Sequence, residues 1–238
     1  MNSILKGVSI IIPTLNEASN LENIISKINY QLRKKNYEII IVDDNSIDGS
    51  KEILQKLKGK KNFKYFIRKD SPDLNQACQL GFKKSKYNNI IVMDGDLQHD
   101  PKYLPRMINL FLLKNYDFLI ATRNFYKEII NHPRVIFSII LIQIINLILG
   151  HKTSDPMSGF FLFKKSIYLR NKKKLYGHGF KILLDLLYVE KKILLVNEFE
   201  FKFNKRKKNV SKMNFKILYI LLNMIFFYFR KRLQRFNE

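Results

Sequence analysis

One pattern recurs through the first half of the chain and limits its fold more than any other feature. A short apolar run is cut off by a polar cluster, and a stretch with helical periodicity follows. VSIII at 8–12 is closed by Pro13, and EIIIV at 38–42 ends at Asp43 and Asp44. FKYFI at 63–67 alternates as a strand, and NIIVM at 89–93 and DFLIAT at 117–122 are two more. Between them the spacing predicts helices over about 20–34, 50–58, 74–85 and 103–113. In the first, Leu21, Ile24, Ile25, Ile28 and Leu32 share one face, and Ser19 with Glu22 makes a capping box. In the second, Ile53, Leu54 and Leu57 point inward. Strands that are apolar along their length need cover on both faces. Their alternation with helices predicts an α/β fold, a mostly parallel sheet with helices on both sides.

Such sheets bind ligands beyond the carboxyl ends of their strands. Three strand ends here carry polar clusters: PTLNE at 13–17, DDNSIDGS at 43–50 and DGDLQHDP at 94–101. They are expected to meet on one rim. Asp94, Asp96 and Asp100 crowd together at the end of a buried strand, and crowded carboxylates call for a compensating cation. Asp94, Asp96 and the amide oxygen of Gln98 alternate along an extended segment that can wrap oxygen ligands around one Mg²⁺ or Mn²⁺. His99, a lone imidazole beside acids, reads as a packing or hydrogen-bonding residue. No spacing resembles GxGxxG or a Walker loop, which disfavours dinucleotide oxidoreductases and P-loop NTPases.

Hydrophobic content of 46% argues against disorder, and 238 residues suffice for a large core. Cys78, the single cysteine, excludes an internal disulfide and fits a reducing cytoplasm. Residues 1–7 are polar and suggest no signal peptide. The net charge of +23, from 43 basic and 20 acidic residues, points to an anionic partner: nucleic acid, an anionic membrane surface or phosphorylated substrates. Nucleic acid fits poorly, because acids gathered at strand ends would repel a phosphate backbone.

Beyond residue 123 the pattern changes. VIFSIILIQIINLIL at 135–149 is uncharged but short of the roughly 20 residues that span a bilayer. It reads as a core helix or as one lying in the membrane interface. KILYILLNMIFFYF at 216–229, bordered by RKRLQR at 230–235, has the aromatics and basic flank of an interfacial helix. The organisation expected is a catalytic domain over 1–212, with 135–149 at the membrane interface, and an apolar, basic membrane-associating tail over 213–238.

PTLNE, DDNSIDGS and DGDLQHDP, followed by SDPMSGF at 154–160 and RKKNVSKM at 206–213, occur in the order and spacing of family 2 glycosyltransferases. Over about residues 8–213 the chain most resembles the dolichol- or polyprenol-phosphate mannose synthases of that family. The resemblance implies the GT-A fold and transfer of a hexose, most directly mannose from GDP-mannose, to a polyprenyl phosphate. The reaction would invert the anomeric centre and depend on a divalent cation. It assigns catalysis to Asp94, Asp96, Arg123 and Asp155, and the metal to Asp94, Asp96 and Gln98. Donor contacts would come from Pro13, Leu15, Glu17, Asp43, Asp44, Asp94, Gly95, Asp96, Arg123, Lys181, Arg206 and Lys212. The acceptor phosphate would be held by Arg123, Arg134 and Ser138. Arg134 and Ser138 are an i,i+4 pair at the mouth of an apolar helix, which suits a phosphate with a hydrocarbon tail. A phosphomonoester is already ionised near neutrality, its second pKa being about 6, so no strong base is required. Asp155 then orients a donor hydroxyl or an arginine.

The resemblance places the protein on the cytoplasmic face of a membrane, peripheral or shallowly inserted, and leaves open whether small membrane subunits join it. Two enzyme alternatives stay open: a UDP-sugar donor, or a sugar-hydroxyl acceptor with Asp155 as base. One departure stands out in RKDSPDLNQA at 68–77, where Asp73 replaces a glycine of relatives and Asn75 takes the second small position. Asp and Asn tolerate left-handed backbone, so the turn is expected to survive.

Overall fold

The computed structural model describes residues 7–123, 133–202 and 215–236. Seven strands form one sheet: β1 (Val8–Thr14), β2 (Tyr37–Asp43), β3 (Phe63–Ile67), β4 (Asn89–Val92), β5 (Phe118–Arg123), β6 (Phe161–Lys164) and β7 (Val196–Phe201). Their order is β3-β2-β1-β4-β6-β5-β7, with β6 alone running against its neighbours β4 and β5. The helices are α1 (Ala18–Leu32), α2 (Ser50–Lys56), α3 (Leu74–Lys84), α4 (Leu104–Lys114), α5 (Pro133–Leu149), α6 (Lys165–Asn171), α7 (Ile182–Val189) and α8 (Phe215–Phe236). The mostly parallel α/β sheet is thus as expected.

Residues along β1, β2 and β4 alternate between two cores. Ile11, Ile40, Val42, Ile90 and Val92 face one side, with Ala77, Cys78 and Phe82 of α3 and the inner faces of α5, α7 and α8. Ile10, Ile12, Ile39, Ile41 and Ile91 face the other, with α1, α2 and α4. Burial on both sides explains why the strands carry no polar alternation. The five apolar residues of α1 are all buried, and so are Leu54 and Leu57.

Local detail departs from the sequence reading in three places. β1 runs through Pro13 to Thr14, in register with Asp43 of β2. Proline is tolerated there because the ladder to β4 has already ended at Ile11 and Val92. No Ser19–Glu22 capping box forms: α1 starts at Ala18, and Ser19 and Glu22 are exposed. Its first N–H is instead capped from another loop, Ala18 N donating to Asp48 Oδ2 at 2.9 Å. Asp73 is extended, with φ −152°, rather than left-handed, and caps α3 by accepting from Gln76 N at 3.0 Å.

The two long apolar runs are helices that each divide their surface. In α5, Leu141, Ile142, Ile145 and Leu149 are buried, while Ile136, Ile140, Ile144 and Leu147 are exposed. In α8, Leu221, Met224, Ile225 and Tyr228 enter the core, while Tyr219, Leu222, Phe226 and Leu233 stay outside. The two helices pack on each other, and Arg232 of α8 donates to the carbonyl of Ile148 near the end of α5. Among the described residues no helix is long and apolar enough to cross a membrane.

Candidate active site

Strand direction decides which motifs meet. β1, β2, β4, β5 and β7 all end at one rim, and β6, running the other way, begins there. The loop 150–160, with its SDPMSGF stretch, is therefore delivered to the same rim as the ends of β1, β2 and β4. The strand order reverses between β1 and β4, the crevice where open α/β sheets bind ligands.

The loops after β1 and β2 are sewn together. Asn16, at φ 56°, donates its backbone N–H to Ser46 Oγ at 2.8 Å, and its Oδ1 accepts from Ile47 N at 2.9 Å. Asp43 is fully buried, and its carboxylate accepts from Ser46 N, Ser46 Oγ and Thr14 Oγ1. Pro13 and Glu17 are buried and Leu15 half-buried on this rim. Glu17 Oε2 accepts from Asn20 Nδ2 at 2.8 Å.

Asp44 forms a buried ion pair with Arg68, at the end of β3, and also accepts from Asp73 N at 2.5 Å. Arg68 reaches on to Gln76 Oε1 at 2.7 Å and the Asp73 carbonyl at 3.2 Å. Burial pushes the Asp44 carboxyl above its ordinary range, although the Asp73 N–H and the Arg68 guanidinium pull it down. Arg68 was given no role in the sequence reading. Its signal was position, a cation at a strand end whose neighbouring strand ends in acids.

The DGD segment follows β4. Gly95 sits where a Cβ would lie 3.0 Å from Thr14 Cγ2, which lets this segment cross the end of β1. Asp96 is 7% exposed and accepts from Gln98 N at 3.1 Å, whereas Asp94 is more open. His99 is buried, stacked on Phe160, and its Nδ1 accepts from the backbone N–H of Asp94 at 3.0 Å. It fixes the backbone that presents Asp94, in line with a packing role. Burial, with the fields of Asp94, Asp73 and Asp44, pushes the Cys78 thiol well above its usual range.

The loop before β6 closes the site from the far side. Gly159 lies so close to Asp94 that a Cβ there would be 2.8 Å from Oδ2. Asp155 is fully buried; its carbonyl accepts from Ser158 N. Glu198 of β7 holds this loop, accepting from Thr153 Oγ1 at 2.7 Å and from Ser154 N and Oγ. Lys181, just before α7, donates to the Met157 carbonyl at 3.2 Å. Lys181 and Phe180 also line a small cleft with Ile220, Leu221 and Met224 of α8. Ser138 lies half-buried on α5. Arg123 ends β5 and Arg134 is the second residue of α5, but their side chains, like Arg206 and Lys212, lie outside the described residues.

The oxygen donors suit a hard cation. Among the described residues no group of three or more His, Cys, Asp or Glu could hold a metal. Asp94, Asp96 and the Gln98 amide offer oxygen atoms, the donor type that Mg²⁺ and Mn²⁺ take when substrate phosphates and water complete the shell.

The family model for glycosyl transferase family 2 matches residues 9–170. A dolichol-phosphate mannosyltransferase of Pyrococcus furiosus is 35% identical over 92% of this chain, which spans 62% of that protein's length. One of Mycosarcoma maydis is 32% identical over 94% of this chain and 79% of its own. In fold, the chain is similar to glucosyl-3-phosphoglycerate synthase of Mycobacterium tuberculosis, solved with Mn²⁺, UDP-glucose and phosphoglyceric acid. The TM-score is 0.69 at 14% identity, over 92% of this chain and 79% of that one. That similarity shows the GT-A fold.

Proposed function

The chain belongs to glycosyl transferase family 2, and we propose that it transfers a hexose, mannose from GDP-mannose, to the phosphate of a polyprenyl phosphate at a membrane surface. One observation carries this reading. At the edge of the acid-lined rim the inward side of α8, with Ile220, Leu221 and Met224, meets Phe180 and Lys181, and on the outward side of the same turns Tyr219 and Leu222 are exposed. A site that pairs a charged pocket with an adjoining apolar helix suits an acceptor that is an anion at one end and hydrocarbon beyond.

In this reading an acceptor phosphate oxygen attacks the anomeric carbon while the bond from that carbon to the nucleoside diphosphate breaks. The product forms with inverted configuration and no covalent intermediate. The acceptor oxygen is already ionised, so no residue needs to remove a proton, and positioning carries most of the rate. Asp94 and Asp96, with Gln98, would hold a divalent cation, which neutralises charge on the departing diphosphate when bound. Asp43, Asp44, Pro13, Leu15, Glu17 and Gly95 line the nucleoside side. In this reading Lys181, Arg206 and Lys212 would bind the diphosphate, and Arg123, Arg134 and Ser138 the acceptor phosphate. Asp155 orients the sugar or an arginine. The names of the relatives support the acceptor class, and the oxygen-only ligand set supports Mg²⁺ or Mn²⁺. The apolar faces of α5 and α8, with Arg230 and Lys231, suit attachment to the cytoplasmic face of a membrane without crossing it.

A second reading, transfer from a UDP-sugar, turns on Asp73, whose N–H donates to Asp44 on the nucleoside side. Purified protein with a short polyprenyl phosphate, Mn²⁺ and either GDP-mannose or UDP-glucose separates the two. GDP-mannose is expected to support transfer, and Asp96→Ala to lower it by more than a hundredfold with an unchanged melting temperature. Near-normal activity of Asp96→Ala in excess EDTA would overturn the metal assignment. Exclusive use of UDP-glucose would overturn the donor.

A further inference from the structure

The C-terminal helix does more than expose an apolar face, because a chain of buried polar contacts links it to the nucleotide side of the site. The link starts at Asp185 of α7, fully buried in an apolar core. Its Oδ1 accepts from the Tyr228 hydroxyl of α8 and from Tyr176 N at 2.9 Å. Its Oδ2 accepts from Gly177 N at 2.9 Å and Asn75 Nδ2 at 2.8 Å. Among the described residues no lysine or arginine pairs with Asp185. Four hydrogen-bond donors thus carry the solvation of a buried carboxylate, and removing any one leaves it under-satisfied.

The next link is the turn 176–181. Gly179 N donates to Asp73 Oδ2 at 2.9 Å, and the Gly179 carbonyl accepts from Asn75 N at 2.8 Å. From the other side α8 presses on the same glycine: a Cβ at Gly179 would lie 2.6 Å from Ile220 Cγ2. The turn is therefore clamped between the start of α3 and the C-terminal helix. Asp73 carries the constraint forward, since its N–H donates to Asp44 and its carbonyl accepts from Arg68. Lys181, at the end of the same turn, ties it to the Met157 carbonyl of the 150–160 loop.

We propose that Tyr228 is a positioning residue for the donor: through Asp185 it fixes the 176–181 turn and the Asp73–Asn75 start of α3, and so sets the pocket that takes a nucleoside diphosphate. The proposal rests on the donor site described above. Seating of the C-terminal helix and donor affinity are then one property. The hydroxyl of Tyr228 is the sharpest point to cut, because Tyr228→Phe removes one oxygen and keeps the ring that packs in the core.

The experiment uses the full chain and calorimetric titration with GDP and with UDP, each with Mn²⁺. It is paired with a thermal melt and the KM for a short polyprenyl phosphate. Tyr228→Phe is expected to weaken binding of the preferred nucleotide about three- to tenfold, the scale of one hydrogen bond to a buried charge felt at a distance. The lipid KM should stay within about twofold. Asp185→Asn is expected to act in the same direction and more strongly; should it not fold, Tyr228→Phe carries the test. A Tyr228→Phe protein that melts lower but binds nucleotide as tightly as the parent would overturn the positioning role, as would donor and lipid constants that rise together. Parent protein that binds neither nucleotide would remove the donor-site reading itself.

Discussion

Gly159 has no side chain because Asp94 occupies the space one would need, its carboxylate oxygens lying 2.8 and 3.0 Å from the Cβ position. Gly159→Ala must therefore push the Asp94 carboxylate aside while leaving both cores untouched. We expect a loss of at least about tenfold in kcat/KM, equivalent to about 1.4 kcal/mol of transition-state stabilisation, and a higher half-saturating Mn²⁺ concentration. A steady-state assay over a Mn²⁺ series checks it, and unchanged metal dependence would separate Gly159 from the metal. At this scale the acids were legible: a buried strand running straight into DGD has few other uses. The partners that hold them were not. Arg68 meets Asp44 only through the parallel register of β2 and β3, and Gly159 meets Asp94 only because β6 starts at the rim. Asp73 read as a left-handed turn residue, yet its side chain gains more as the cap of α3, and capping requires extended backbone.

Among the elements, α8 shows most clearly what periodicity alone misses. Its apolar run and basic border read as a membrane tail, and its outward face exposes Tyr219, Leu222, Phe226 and Leu233. Its inward face supplies Leu221, Met224, Ile225 and Tyr228 to the core beside α5 and α7. A chain truncated after Lys212 would uncover that core, since burial of each large apolar side chain is worth about 1.5–3 kcal/mol. The expected outcome is loss of soluble, cooperatively melting protein, not a folded enzyme that merely leaves vesicles. Size-exclusion chromatography and a thermal melt of the truncated form check this. A monodisperse product with a normal melting temperature would mean the helix is dispensable to the fold. Strands β1–β5 and the helices α1–α4 were readable because each shows one clean pattern, whereas β6 and β7 were not read. A helix with two apolar faces gives no contrast to read, which is also why α5 stood open between core and interface.

For the whole molecule, acid carries a predictable risk. Glu38, 1% exposed at the foot of β2, accepts from Ser9 Oγ, Lys86 N and Lys64 Nζ. Burial alone would raise its pKa, but those bonds outweigh it and hold the carboxyl below its ordinary 4.5. Glu190 and Glu198 are also held low, each by hydrogen bonds that outweigh burial. A carboxylate depressed in the folded state stabilises the fold above its unfolded value and loses that contribution as pH falls through the folded one. Stability should therefore hold near neutrality and decline below about pH 4.5, and the penalty of Glu38→Gln should shrink over the same range. Melts of both proteins from pH 7 to pH 3 test this, and a penalty that grows in acid would refute it. The sheet class was plain from the strands, but its order was not. β6 is four residues long, and nothing in FLFK tells that it inserts between β4 and β5 in the opposite direction. That insertion also has a consequence for synthesis. Strands β1 to β4 emerge from the ribosome first, and the free edge of β4 must wait roughly 70 residues for β6. At about 5–20 residues per second, that is several seconds with an apolar strand unpaired. During that interval the nascent chain is open to edge-to-edge pairing with its neighbours on a polysome.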